Sequence, residues 1–375
     1  MPGRHGHHAD APTIGRDAEL ATVNRFLDAV ADGPSALLVE GVAGIGKTTL
    51  WRAAVTTARA RGYQVLAATA VDTEADLPFV GLRDLAAPVA ADTAAGLPEV
   101  QQAALSRALL SSGESGGPAD LHAVCAAALG VVRVLSRSVP LVVAIDDVTW
   151  MDRSSQRVLR YVGRRLNDER MGILLARRSG EPSPPPGLDG PAVQATAVSI
   201  ELDTLSADDL HLLLTGHGLA LSRRTTGHIH RVSGGNPFYA VEIGRAVVRD
   251  GRRPVGENAL PVPGGVLTVT AQRVANLSPS ARQAVGVVAL MSTPTVEQVG
   301  AVVGPEVGAA VEEAVGEGLL DDDAPGLRFA HPILRSAVSA GLTTSGRREL
   351  HRRIAAAVAD PDEQVLHLAA AASGP

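Results

Sequence analysis

The run Gly41-Val-Ala-Gly-Ile-Gly46-Lys47-Thr48 fits G-x-x-x-x-G-K-[ST] at every position. It follows the short apolar run "SALLVE" and precedes "KTTLWRAAVTTARAR", where Leu50, Trp51, Ala54, Val55 and Ala58 share one helical face until Gly62 stops it. A strand, a glycine-rich turn and a helix in that order bring successive backbone N–H groups and a helix N-terminus to one point, which is a cradle for phosphate. Gly41, Gly44 and Gly46 let the backbone curl, and the cradle is expected to run through Ile45, Gly46, Lys47, Thr48 and Thr49. Lys47 is the only lysine among 375 residues; the other 33 basic residues are arginine. A slim ammonium threads between β- and γ-phosphates where a planar guanidinium is too broad. The Thr48 hydroxyl is expected to reach Mg²⁺.

Strand-like and helix-like segments alternate from Ser35 to about Asp203, which predicts an α/β fold with a doubly wound parallel sheet and ligands at the carboxyl ends of its strands. "YQVLAATAV" reads as the second strand, "PLVVAIDD" as a buried parallel strand, "GILLARR" as another and "AVSIELD" as the last. Between the second and third, two Ala/Leu-rich helical stretches are split by the loop "SSGESGGPAD". Asp146 ends its strand where a phosphate-site Mg²⁺ needs a carboxylate, with an N-cap or loop acid as the plainer reading. Asp147 is either a water-orienting base or a structural hydrogen-bonding residue; as an aspartate it reaches less far than a glutamate. Arg177 and Arg178 end the next strand at the same sheet edge. Either one of them, Arg178 in particular, senses a γ-phosphate there, or the two are a solvated pair.

The rest of the chain bounds the partners. A net charge of −6 gives no global basic field for nucleic acid, and aromatics at 2% give no stacking platform. The single cysteine, Cys125, lies in Ala-rich sequence and reads as a small buried residue. No run of about 18 uninterrupted apolar residues predicts a membrane span. "MPGRHGHHADAP" lacks an apolar leader, so a cytoplasmic location is expected, with His5, His7 and His8 in a mobile tail over residues 1–12. The nucleotide-binding domain is expected over 13–204 and a helical lid carrying "SGGNPFY" over 205–258. "GRRPVGENALPVPGG" reads as a linker. Three short helices and a hairpin over 259–358 suggest a winged helix, and 359–375 opens further Ala-rich helix.

In this order the motifs resemble the ATPase portion of large LuxR-type, MalT-like bacterial regulators, within the signal-transducing AAA/STAND P-loop NTPases. "IGRDAEL" is similar to their opening box, "GVAGIGKTTL" to the phosphate loop, "PLVVAIDDVTWMD" to the second motif and "GILLARR" to the sensor strand. "VSGGNPFYAVEI" is similar to the lid box and "LRFAHPILRSAV" to the winged-helix box, so the resemblance spans about Ile14 to Ala371. It implies ATP or ADP with Mg²⁺ as ligand, Arg16 near the adenine, Pro237 pressing on the base, and His331 reaching the phosphates in a closed ADP form. The residues alone also allow plainer roles: Arg16 as a helix cap, "GGNP" as an inter-helix turn, His331 as a core histidine. The resemblance implies an ATP-driven switch with slow hydrolysis, self-association in the ATP state, an unidentified inducer and a transcriptional output. Thr149 stands where the family has Gln or His and Met151 where it has Ala, both beside the acidic pair. The family's helical repeats and C-terminal helix-turn-helix are expected to be missing here, with "DEQVLHLAAAASGP" at their threshold. Arg347, Arg348, Arg352 and Arg353 read as a solvated helix face rather than a DNA-reading one, so this chain alone is not expected to bind DNA. The second reading is an origin-recognition-like AAA+ ATPase that binds DNA through its winged helix. A small-molecule kinase or transport ATPase fits less well, for want of an acceptor-binding constellation.

Overall fold

In the computed structural model the chain forms two compact units, Met1–Asp203 and Thr204–Pro375. The structure describes residues 13–71, 74–87, 96–109, 120–181, 183–250, 264–291, 294–321, 326–330, 332–358 and 360–372. The histidine tail, the "SSGESGGPAD" loop up to residue 119, the linker over 251–263 and His331 lie outside the described residues.

The first unit is built on a five-stranded parallel sheet: β1 (Ser35–Glu40), β2 (Gln64–Thr69), β3 (Leu141–Asp146), β4 (Met171–Arg177) and β5 (Val198–Glu201), ordered β2-β3-β4-β1-β5. The central strands are continuous apolar runs because both faces are covered. Alternate residues divide between the faces, as a period of two requires: Leu37, Val142 and Leu174 on one, Leu38, Val143 and Ile173 on the other. Edge strand β5 has a single buried residue, Ile200, while Val198, Ser199 and Glu201 are exposed.

Helices α1 (Asp17–Asp32) and α2 (Lys47–Ala60) cover the first face. In α1 the buried set is Val23, Phe26, Leu27 and Val30, at i, i+3, i+4 and i+7. Gly172 of β4 lets α1 approach, since a Cβ there would lie 2.5 Å from Val30 Cγ2 and 2.7 Å from Phe26 Cζ. The other face carries α3 (Val80–Ala86), α4 (Glu99–Leu109), α5 (Leu121–Ser138) and α6 (Arg153–Gly163). The two Ala/Leu-rich stretches are α4 and α5; α3 is an addition that the sequence pattern does not announce. By length and composition α5 could cross a membrane, with a mean hydropathy of 1.3. Its Val124, Cys125, Ala128 and Val132 are instead part of the core against the sheet. Cys125 is a free, buried thiol whose pKa burial raises, with the Arg165 charge pulling the other way.

The second unit begins with α7 (Ala207–Gly216), α8 (Arg223–Ser233) and α9 (Pro237–Asp250). Then come α10 (Gly264–Asn276), α11 (Pro279–Leu290), α12 (Val296–Val303) and α13 (Val307–Gly316). The antiparallel pair β6 (Leu320–Asp321) and β7 (Arg328–Phe329) follows, then α14 (Pro332–Gly341), α15 (Thr344–Ala357) and α16 (Pro361–Ala372). The three short helices and the hairpin are where the sequence puts them. α10 stands in sequence that follows the linker and carries no helix signal of its own. One apolar core runs from Leu205 to Val358 and includes Leu210, Ile243, Val285 and Ile354, so packing is continuous across residue 258.

Candidate functional site

The site is at the carboxyl ends of β1, β4 and β3. Residues 41–46 join β1 to α2, and glycine geometry shapes the turn. A Cβ on Gly41 would stand 2.7 Å from Ile45 Cγ2 and 3.2 Å from Leu202 Cβ. Gly44 and Gly46 have φ of 79° and 110°, left-handed values at which L side chains are strained. Gly46 is the N-cap of α2 and supplies no capping side chain. The first-turn N–H groups of α2 therefore lack both an intrahelical acceptor and a side-chain cap, and suit an anion. Ile45 is 1% exposed, so its side chain anchors the loop in the core and only its backbone belongs to the cradle. Thr49 is exposed on the first turn of α2. The Lys47 ammonium donates to the carbonyl oxygens of Gly41 (2.9 Å) and Val42 (3.0 Å), which holds its charge against the loop.

β4 lies between β1 and β3, yet the two halves of the site meet past its end. Asp146 is 2% exposed, and the Thr48 hydroxyl neighbours its carboxylate. Burial pushes the Asp146 pKa up; the nearby Thr48 hydroxyl lowers it, the Asp147 charge raises it further, and the Asp147 N–H and Arg52 work the other way. The Asp147 N–H donates to Asp146 Oδ1 at 3.1 Å. Asp147 itself has φ 49° and ψ 49°, and with Phe79 is one of two non-glycine residues at positive φ among those described. Holding a non-glycine residue there costs on the order of 1 kcal/mol or more, and such strain collects at functional turns. Its side chain is half-buried, beside the helical turn Val148–Trp150.

The two arginines after β4 part company. Arg177 pairs with Glu40 Oε1 at 2.9 Å and donates to the Ser183 carbonyl at 2.7 Å, so it is committed to the sheet edge. Arg178 is half-buried, with no hydrogen bond or ion pair to another described residue. Because β4 is flanked by β1 and β3, Arg178 leaves the sheet between the phosphate loop and the acidic pair.

Arg16 is the N-cap of α1 but does not cap it with its side chain. Arg16 is 6% exposed, and its guanidinium donates to Glu19 Oε1 (3.0 Å), the Ile45 carbonyl (3.2 Å) and the Asp203 carbonyl (2.7 Å). It thus braces the phosphate loop against the chain segment leaving β5. Pro237 is half-buried at the first position of α9, where proline suits a helix start, and Asn236 Oδ1 accepts from the Phe238 N–H at 3.1 Å. It belongs to the second unit, as does the segment that contains His331.

Three features carry no sequence signal. Asp152 accepts from the N–H groups of Phe79 (2.8 Å), Gly81 (3.1 Å) and Ser155 (2.9 Å), and Ser155 Oγ accepts from the Leu82 N–H at 2.8 Å, which bolts α3 to the start of α6. Met151 is 3% exposed and fits against Gly81, where a Cβ would be 2.6 Å from its Cε. The bulk at 151 is therefore matched by the glycine in α3. Thr149 Oγ1 donates to Glu181 Oε1 at 2.6 Å and draws another carboxylate toward the acidic pair. A motif pattern shows none of these, because the partners lie about 30 to 70 residues apart.

The residues fit a Mg²⁺–nucleotide. Among the described residues no cluster of three His, Cys, Asp or Glu could hold a metal alone. A phosphate-bound Mg²⁺ needs only one or two protein oxygens beside phosphate and water, and the Thr48–Asp146 pair next to the cradle offers them.

Comparison with known proteins agrees with this geometry. Residues 12–175 match the AAA ATPase domain family. A Walker-type ATPase of Pyrococcus abyssi superposes with a TM-score of 0.56 at 15% identity, over 87% of this chain and 96% of its own. The ORC2 protein of Aeropyrum pernix, solved with ADPNP and ADP, gives 0.54 at 16% identity, over 89% and 96%. No curated protein sequence matches the chain. Residues 12–175 are thus similar to the AAA ATPase domain family, and the first unit has a P-loop NTPase-like α/β fold.

Proposed function

We propose that the chain is an ATP-dependent switch of the LuxR-type, MalT-like kind, acting in the cytoplasm, with slow hydrolysis setting its conformation and self-association. The juxtaposition of Thr48, at the start of α2, with buried Asp146 carries this reading: it brings the phosphate loop to the acidic strand across β4. Lys47 exchanges its contacts to the Gly41 and Val42 carbonyls for phosphate oxygens. Thr48 and Asp146 hold the cation, and Arg178 senses the γ-phosphate. A Mg²⁺ held by Thr48 and Asp146 would supply charge neutralisation at the phosphates. Asp147 orients water, but its short side chain on a left-handed backbone makes a slow hydrolase. Arg16 acts by bracing the loop near the adenine end, and the resemblance adds Pro237 and His331 from the second unit as nucleotide-state reporters, the latter in a winged helix.

A second reading, an origin-recognition-like ATPase, draws on the fold likeness to the Aeropyrum ORC2 protein and on the arginines of α15. Those arginines favour the first reading. Arg352 pairs with Glu349, Arg347 donates to the Ser339 carbonyl and Arg353 to the Val302 carbonyl, so most of the row is spent internally. Single-turnover ATP hydrolysis and duplex-DNA anisotropy on the same preparation separate the two. Tight nucleotide binding with turnover well under 1 per second, at the slow end of enzymes, and no DNA binding supports the switch. Duplex binding with a steep salt slope supports the other reading.

A further inference from the structure

The chain leaving β4 is tied down on both flanks. Toward β1, Arg177 pairs with Glu40, and the Ser179 N–H donates at 3.4 Å to the Gly41 carbonyl, the same oxygen that accepts from Lys47. Toward β3, the Thr149 hydroxyl donates to Glu181 Oε1 at 2.6 Å. Gly180, with φ of 83°, makes the bend between the two ties. Arg178 stands inside this short segment, half-buried, with no hydrogen bond or ion pair to another described residue.

An uncommitted arginine so close to a carboxylate needs a physical reason. Only Ser179 and Gly180 separate Arg178 from Glu181, and both side chains are long enough to meet across them. An ion pair near the surface is weak, because water screens it and two long side chains must be ordered to form it. A hydroxyl-to-carboxylate bond is charge-assisted, and 2.6 Å is in the short range of such bonds. Thr149 therefore outbids the guanidinium for Glu181.

We propose that Thr149 is a positioning residue that keeps the Glu181 carboxylate away from Arg178, so that the guanidinium stays free for a γ-phosphate and the site tells ATP from ADP. The inference rests on the reading of Arg178 as the γ-phosphate sensor. Without the Thr149 hydroxyl, Glu181 competes with the γ-phosphate for the same N–H donors. ADP has no γ-phosphate to meet Arg178, so the loss falls on ATP alone.

The test is calorimetric titration of ATP and of ADP, each with Mg²⁺, into the full chain. Thr149 is exposed, so its substitution leaves the core untouched. Thr149→Val is expected to lose about three- to fivefold in ATP affinity, the range of a surface ion pair, with ADP affinity unchanged. Thr149→Ser keeps the hydroxyl and should keep the affinity. In the double variant Thr149→Val, Glu181→Gln the neutral amide cannot trap the arginine, and ATP affinity should return; a purely structural tie would not be mended this way. Undiminished ATP affinity in Thr149→Val, an equal loss for ADP, or no recovery in the double variant overturns the proposal. Arg178→Ala separates it from the reading beneath. If that variant keeps the wild-type ratio of ATP to ADP affinity, the sensor reading fails and the role of Thr149 fails with it. If the ratio falls in Arg178→Ala but not in Thr149→Val, only the role of Thr149 is overturned.

Discussion

At the scale of single residues, charge placement decides the site. Asp146 is a carboxylate kept almost wholly from water, with its pKa raised mainly by burial. A raised folded pKa means that the fold disfavours the ionised form, so stability without a bound cation falls as pH climbs from the ordinary carboxylate range through the folded pKa. Replacing it with asparagine removes that cost. Asp146→Asn is expected to melt higher than wild type at pH 7 without Mg²⁺, and to lose about tenfold or more of its Mg²⁺-dependent ATP affinity. A lower melting temperature, or unchanged Mg²⁺ dependence, would place the cation elsewhere. At this scale the sequence is most readable. Gly41 to Thr48 declares itself because the glycine geometry is local, and Asp146 because it ends an apolar run. The bracing of the loop by Arg16 is hidden, since the Asp203 carbonyl it grips is 187 residues away. The choice between Arg177 and Arg178 is likewise decided by Glu40, a partner on another strand.

At the scale of elements, long-range polar contacts position what propensity leaves open. The seven residues of α3 are too few for a clear apolar period, and the helix stands because Asp152 and Ser155 satisfy its N-terminal donors. Asp152→Ala leaves buried N–H groups unpaired and should destabilise the first unit by about 2–4 kcal/mol. Amide exchange in α3 should rise before that in α5, and uniform exchange across both helices would deny the clamp this role. A second contact titrates. His351 Nδ1 lies 2.8 Å from His367 Nδ1 between α15 and α16, and burial lowers both pKa values. The neighbouring His367 and Arg347 charges depress His351 further, while Glu363 partly offsets the shift at His367. For a histidine held neutral, stability is lost as pH falls through the ordinary value near 6.5. Limited proteolysis should therefore free α16 at pH 5.5 and not at pH 8, and His351→Gln should flatten that difference. Strand positions are legible from apolar runs of five to seven residues, but their order β2-β3-β4-β1-β5 is not. Pairing is non-local, and only the fold shows that β4 delivers Arg178 between loop and acid.

At the scale of the molecule, a unit with a P-loop NTPase-like fold, similar over residues 12–175 to the AAA ATPase domain family, is followed by one that is helical with one small hairpin among its described residues. The proposed switch requires nucleotide identity to be read beyond the first unit. Sedimentation velocity should therefore show a larger species with ATP and Mg²⁺ than with ADP, and identical profiles would remove the case for ATP-driven assembly. Packing within the second unit, continuous from Leu205 to Val358, was not readable as such. Composition and turn residues mark where a chain is punctuated, whereas a shared core depends on which helices meet.

The account stands most directly on Lys47, the one position where an arginine-rich chain keeps an ammonium. Calorimetric titration of ATP with Mg²⁺ into wild type, Lys47→Ala and Lys47→Arg tests it, with melting curves to show that the variants are folded. Both variants are expected to lose at least about tenfold in affinity, ~1.4 kcal/mol, with arginine unable to substitute for lysine. Equal affinity in folded Lys47→Ala or Lys47→Arg would contradict it.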